Sequence, residues 1–165
     1  KKDVYLHMGE GFPYRLKFTF PGNLDYIFPV RKFISDMLLI NNYSQKFAYR
    51  SEVIVDEICS NAVMYGCKST DDQVEFVCEV FPDKMEIQVK DRGGSIKDIE
   101  RLRIALKNDD YYTKKDNRNF SLDIESNCLG IEIVRLLSEE IELDIDEDNV
   151  TTIRVVRKRK SNKKG

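Results

Sequence analysis

Residues 53–66, VIVDEICSNAVMYG, carry apolar side chains at helical spacing and so commit this part of the chain to a helix lying on a larger apolar surface. Wound at about 100° per residue, Ile54, Val55, Ile58, Cys59, Ala62, Val63 and Tyr65 form one broad arc. The helix needs a sheet or further helices to cover that arc. Glu57 and Asn61, one turn apart, fall together at its edge, where a core-facing helix meets its boundary. A carboxylate and a carboxamide at such a place act jointly: one takes a proton, the other binds a metal or a phosphate oxygen. A solvent-facing polar pair is the plain alternative.

The segments on either side supply the cover. Tyr14–Phe20 alternates apolar and polar residues and predicts a strand, stopped by Pro21-Gly22-Asn23. Leu24 to Ile40 has helical spacing and ends at Asn41-Asn42. The helix with Glu57 runs from about Phe47 to Tyr65, with Gly66 as its stop. Val74–Phe81 and Met85–Lys90 alternate around Pro82-Asp83-Lys84, a hairpin pattern. Ile96–Leu106 is a short helical pattern, Lys107–Asn127 a polar loop, and Cys128–Leu137 a helix. Ile141–Asp146 and Val150–Val156 form a last hairpin, with acidic residues facing Arg154 and Arg157. The order β-α-α-β-β-α-loop-α-β-β predicts a two-layer α+β sandwich, a mixed and mostly antiparallel sheet with helices on one face.

Bulk properties narrow the function. At 165 residues the chain is one domain long, and its net charge of −2 gives no general attraction to nucleic acid or anionic membrane. No apolar run approaches the roughly 20 residues that cross a bilayer, and Lys1-Lys2 is not followed by a secretory apolar stretch. The first residue is Lys, compatible with a segment of a longer protein. Cys59, Cys67, Cys78 and Cys128 contain no C-x-x-C pair, and three sit in apolar segments, as buried free thiols of a reducing cytoplasm do. His7, the single histidine, lies in a Gly- and Pro-broken stretch and offers no base for a triad. The basic end of the chain reads as a solvated tail.

Three further motifs follow the Glu57 helix. Asp91-Arg92-Gly93-Gly94 closes a strand with an acceptor for an exocyclic amine and with glycines that admit a planar ring. Leu129-Gly130 opens the next helix, where free backbone N–H groups would seat a phosphate. Thr151-Thr152-Ile153-Arg154 lies in the last strand.

In this order and spacing the four motifs resemble the boxes of the GHKL, or Bergerat-fold, ATPases. The segments DEICSNAVMYG, DRGGSI, LGIEIV and TTIRV are most similar to the anti-sigma-factor serine-protein kinases of partner-switching systems, over about residues 15–158. The resemblance implies a histidine-kinase-like ATPase domain at 14–158 with an ATP lid at about 107–127, an arm at 1–13 and a basic tail at 159–165. It implies ATP and Mg²⁺ as cofactors, with Glu57 as general base and Asn61 as metal ligand. Asp91 would bind the adenine amine, Gly93 and Gly94 would pass under the ring, and Thr152 would support adenine. Leu129 and Gly130 would hold phosphates, and Lys107, Lys114, Lys115 and Arg118 are lid candidates for phosphate contact. Cys128 stands where the family usually has glycine. The implied partners are a sigma factor or analogous regulator, a STAS-type antagonist whose serine is phosphorylated, and a second copy in a homodimer, with no nucleic acid bound. Two alternatives stand beside the kinase: a nucleotide-binding module that acts by sequestering a partner without catalysis, and the ATPase domain of a larger sensor protein.

Overall fold

The computed structural model describes residues 13–95, 97, 99–100, 103–104 and 122–160, with side chains for all of these but 122–129. Most of the expected arm, the greater part of the expected lid with Lys107, Lys114, Lys115 and Arg118, and residues 161–165 lie outside the described residues.

Strand β1 (Tyr14–Pro21) is followed by a single 3₁₀ turn and helix α1 (Ile27–Ile40). Helix α2 (Gln45–Asn61) continues into a π-helical turn, Ala62–Gly66. Strands β2 (Gln73–Val80) and β3 (Lys84–Asp91) form a hairpin, and α3 (Leu122–Leu137) leads into a second one, β4 (Glu140–Ile145) and β5 (Thr151–Lys158). The sheet order is β1-β2-β3-β5-β4, and each of its pairings is antiparallel. The parallel component implied by a mixed sheet is absent from these five strands.

Local chemistry explains the boundaries. Asn42, at φ 60°, ends α1 in the left-handed conformation that asparagine tolerates, and the Ser44 side chain caps α2 by accepting from the Phe47 N–H. Asn149, at φ 61°, turns the last hairpin. Burial alternates residue by residue along β2 and β3. Val74, Phe76, Cys78 and Val80 of β2 face the helices, as do Met85, Ile87 and Val89 of β3 and Ile153 and Val155 of β5. Ile34, Leu38, Ile54 and Ile58 close over them, each fully buried. Burial of each such side chain contributes ~1.5–3 kcal/mol relative to exposure. Cys59 and Cys78 are buried free thiols in this layer.

The other face of the sheet is largely polar, apart from the buried Val156. Arg154 reaches Glu86 at 3.3 Å, Glu142 at 3.2 Å and Glu140 at 3.5 Å, a network that favours the observed register. Arg157, expected to share that duty, does not. It has the parity of Ile153 and Val155, so it points into the core and is only 5% exposed.

Helix α3 also departs from expectation. Its helical backbone begins at Leu122 rather than Cys128, so Gly130 is the ninth residue of a helix and not its first. A backbone N–H at that depth is engaged within the helix. The free N–H seat expected at Leu129-Gly130 is therefore not formed there.

Candidate functional site

Helix α2 brings Glu57 against α3, with Asn61 one turn further along the same helix. A Cβ placed on Gly130 would collide with Glu57 Oε2 and lie 3.1 Å from its Cδ, so glycine at 130 is what lets the carboxylate lie against α3. Burial, with the neighbouring negative charge of Asp56 second, pushes the Glu57 carboxyl above its ordinary value. A carboxylate so raised is a better proton acceptor near neutrality.

Among the described residues, Asn61 Nδ2 is buried without a hydrogen-bond partner. Leaving a buried polar group unpaired costs ~1–3 kcal/mol, so a ligand that pairs it is correspondingly favoured. A half-turn of the carboxamide exchanges its two ends, so the position offers an N–H to a phosphate oxygen or an oxygen to a hard cation. The residue therefore fits a Mg²⁺ ion, which it would hold through the amide oxygen. No group of three or more His, Cys, Asp or Glu suited to a metal occurs among the described residues. Asn61→Ala is expected to weaken binding of Mg·ATP more than of metal-free ATP, measured by calorimetry with and without a chelator.

At the other end of the site the π turn carries the chain under β3. Such turns widen a helix by one residue and often sit at functional positions. Here it lays Gly66 against Asp91: a Cβ on Gly66 would overlap the Asp91 carboxyl group. Asp91 is 5% exposed and accepts from the Gly93 N–H at 3.5 Å. Burial raises its carboxyl from the usual 3.8 to about 6, against the smaller lowering by the Gly93 hydrogen bond. Gly93 packs on the Gly66 carbonyl, and Gly94 sits beside Ile99 and the Tyr65 carbonyl.

Thr152 is not on this face. It pairs with Lys90 on the polar side of the sheet, while Thr151 pairs with Asp91 and is buried. Residues directly opposite on antiparallel strands share a face, so the hydroxyl beside Asp91 belongs to Thr151. Gly66 and Thr151 are the members that sequence reading overlooked. In the sequence Gly66 reads as a helix stop at the end of the DEICSNAVMYG segment with no contact to Asp91 implied, and the doubled threonine leaves the strand parity open. Leu129 lies in α3, one residue before the Glu57–Gly130 contact; its side chain, like that of Cys128, is outside the described residues.

Two clusters thus stand at the ends of one helical segment, Glu57–Asn61–Gly130 and Gly66–Asp91–Gly93–Thr151. Gly66 lies nine positions after Glu57, at most about 13 Å along the axis of a helix that ends in the π turn. That is comparable with the span from the adenine amine to the terminal phosphate of ATP.

Comparison with known proteins bears on the family and the fold. Residues 20–157 match the family described as "Histidine kinase-like ATPase domain". The anti-sigma F factor of Clostridium novyi (strain NT) is 27% identical over 108 residues, 65% of this chain and 68% of that protein. A crystal structure of the RsbU and RsbW domains of a Mycobacterium tuberculosis protein superposes with a TM-score of 0.56 at 15% identity. The match covers 89% of this chain and 33% of that one. At that identity the likeness is one of fold. No helix among the described residues is long and apolar enough to cross a membrane.

Proposed function

Because the chain belongs to the histidine kinase-like ATPase family, we propose that it binds Mg·ATP between α2, β3 and α3 and transfers the γ-phosphate to a serine of a STAS-type antagonist. In the same reading it sequesters a sigma factor or similar regulator in the cytoplasm and works as a homodimer. The observation that carries the catalytic part is Glu57 lying on Gly130 with the unpaired amide of Asn61 one turn away. The name of the Clostridium relative supports the regulatory part.

The division of labour follows from the side chains. Asp91 accepts the adenine amine, with the Thr151 hydroxyl beside it and the Gly66–Gly93 backbone contact leaving room for the ring. Asn61 would hold Mg²⁺, which would supply neutralisation of phosphate charge. Glu57 takes the proton of the attacking serine hydroxyl, and its raised affinity for protons suits that task. Phosphoryl transfer asks mainly for positioning and charge neutralisation, which this set supplies.

A specific observation favours the second reading, a module that binds nucleotide and sequesters a partner without transfer. Gly130 is inside α3, so its N–H is not free to hold a phosphate.

Calorimetry with Mg·ATP, followed by transfer of labelled γ-phosphate to STAS-type candidate proteins, separates the two. Glu57→Ala is expected to keep Mg·ATP affinity and to slow transfer by ~10²–10⁴-fold, the usual contribution of a general base. Transfer at the parent rate by that variant removes Glu57 from the mechanism. Binding without transfer to any candidate by the parent supports the sequestering module.

A further inference from the structure

Arg157 is buried in the core, 5% exposed, and makes no ion pair within 4 Å among the described residues. Instead its guanidinium is divided among three acceptors on two helices. Nη1 donates to the Phe47 carbonyl at 2.7 Å and to Ser51 Oγ at 2.6 Å, both on α2. Nε donates to the Leu137 carbonyl at 2.9 Å, the last residue of α3. The group also lies over the Phe47 ring, 3.9 Å from its centroid. Burial pulls its proton affinity down to about 10, which still leaves it charged at neutral pH.

The placement of these acceptors is informative. The Leu137 carbonyl is one that the helix itself leaves unpaired, and a cation there also complements the helix dipole. Along α2, Ser51 is six residues before Glu57; along α3, Leu137 is seven residues after Gly130. The two helices are therefore tied at two levels about 10 Å apart, Arg157 at one and Glu57–Gly130 at the other. A guanidinium presents its donors in a rigid planar fork, so it fixes the direction as well as the distance between its acceptors.

We propose that Arg157 is a positioning residue, setting the spacing of α2 and α3 and so the seat of Glu57 against Gly130 from the far end of the helix pair. The consequence for turnover rests on the nucleotide reading above; the consequence for Glu57 does not. The adenine end of the site is built on β3, β5 and the π turn, away from this tie. Loss of Arg157 therefore acts on the Glu57 end first.

The test uses the full chain with Arg157→Met and Arg157→Lys, checked for folding by circular dichroism and thermal melting. The Glu57 carboxyl is titrated by carbon NMR, its signal identified by its loss in Glu57→Gln. Loosening α3 lets water reach Glu57 and lowers its midpoint toward the ordinary carboxylate value. Removal of a distant positive charge alone would move it upward. Both variants are expected to show the downward shift, since lysine keeps the charge but not the fork. Mg·ATP affinity is expected to stay within about threefold and turnover to fall at least ~10-fold, a loss typical of a misplaced group. An unchanged or raised Glu57 midpoint in a folded variant overturns the proposal, and so does full restoration by lysine. If Arg157→Met fails to fold, Arg157→Lys and Ser51→Ala, which removes one acceptor, give the same decision. A parent protein that binds no Mg·ATP defeats the nucleotide reading, while the Glu57 titration still decides the role of Arg157.

Discussion

Asp91→Asn is expected to give a chain that is more resistant to denaturation at neutral pH and that binds ATP ~10–100-fold more weakly. Both effects come from one carboxylate. In the fold it is buried against Gly66 and titrates at about 6, whereas in the unfolded chain it titrates near 3.8. The folded state thus binds the proton more tightly. The stability linked to this group is fully present below pH ~3.8 and is lost as pH rises through 6. Roughly two units of difference correspond to about 3 kcal/mol of penalty at pH 7, an upper figure for a group that relaxes when ionised. Asparagine has no charge to desolvate, and its oxygen still accepts from the Gly93 N–H. Urea denaturation at pH 7.5 is expected to favour the variant by about 1–3 kcal/mol, and the advantage should shrink toward zero near pH 4. A variant less stable than its parent at pH 7.5 would mean that Asp91 is held by interactions that outweigh its burial.

The loss of ATP affinity follows from the same chemistry. A hydrogen bond from the adenine amine to an ionised carboxylate is worth about 1.5–3 kcal/mol, more than one to a neutral amide. In the proposed reading the nucleotide binds the ionised form, and parent affinity is expected to fall as pH drops below about 6. In Asp91→Asn that pH dependence should disappear. Calorimetry across pH 5–8 reads both the affinity and its slope.

How much of this was legible beforehand depended on whether periodicity could speak. The arc of α2 was readable because apolar residues recur at helical spacing, and six of its seven members are buried while Tyr65 is half-buried. Glu57 and Asn61 lie at its edge for the same reason. The strand pairs β2–β3 and β4–β5 were readable from alternation around short turns. The π turn was not, because one extra residue per turn leaves no separate mark in so short a stretch, and with it went the role of Gly66. Strand β5 was ambiguous in parity. Val156 is apolar on one side, Ile153 and Val155 on the other, and a charged residue at 157 argued for solvent. The apolar majority nevertheless decided the side, bringing Arg157 inward and turning Thr152 out. The start of α3 was hidden because Leu122–Asn127 is largely polar, so helical backbone there is dictated by packing further along.

Gly130→Ala is expected to separate stability from chemistry. Glycine in the ninth position of a helix costs about 0.5–1 kcal/mol relative to alanine, so propensity alone gives no reason for it. The reason is local: an alanine Cβ would occupy the place of Glu57 Oε2. Glu57 is the end of a flexible side chain at the margin of the core, so it can swing aside at little cost to the fold. The variant should therefore melt at or slightly above the parent temperature. Its Glu57 carboxylate, however, no longer rests at the gap between α2 and α3, so the proton acceptance proposed for it would lose its alignment. Misplacement of a general base removes much of its ~10²–10⁴-fold contribution, so phosphate transfer should fall at least ~10-fold while the Asp91 end keeps adenine bound. Single-turnover transfer and Mg·ATP calorimetry on the same preparation distinguish the outcomes. Equal loss of affinity and rate would make Gly130 a phosphate contact, and an unchanged rate would show that the Glu57–Gly130 contact is not used in transfer.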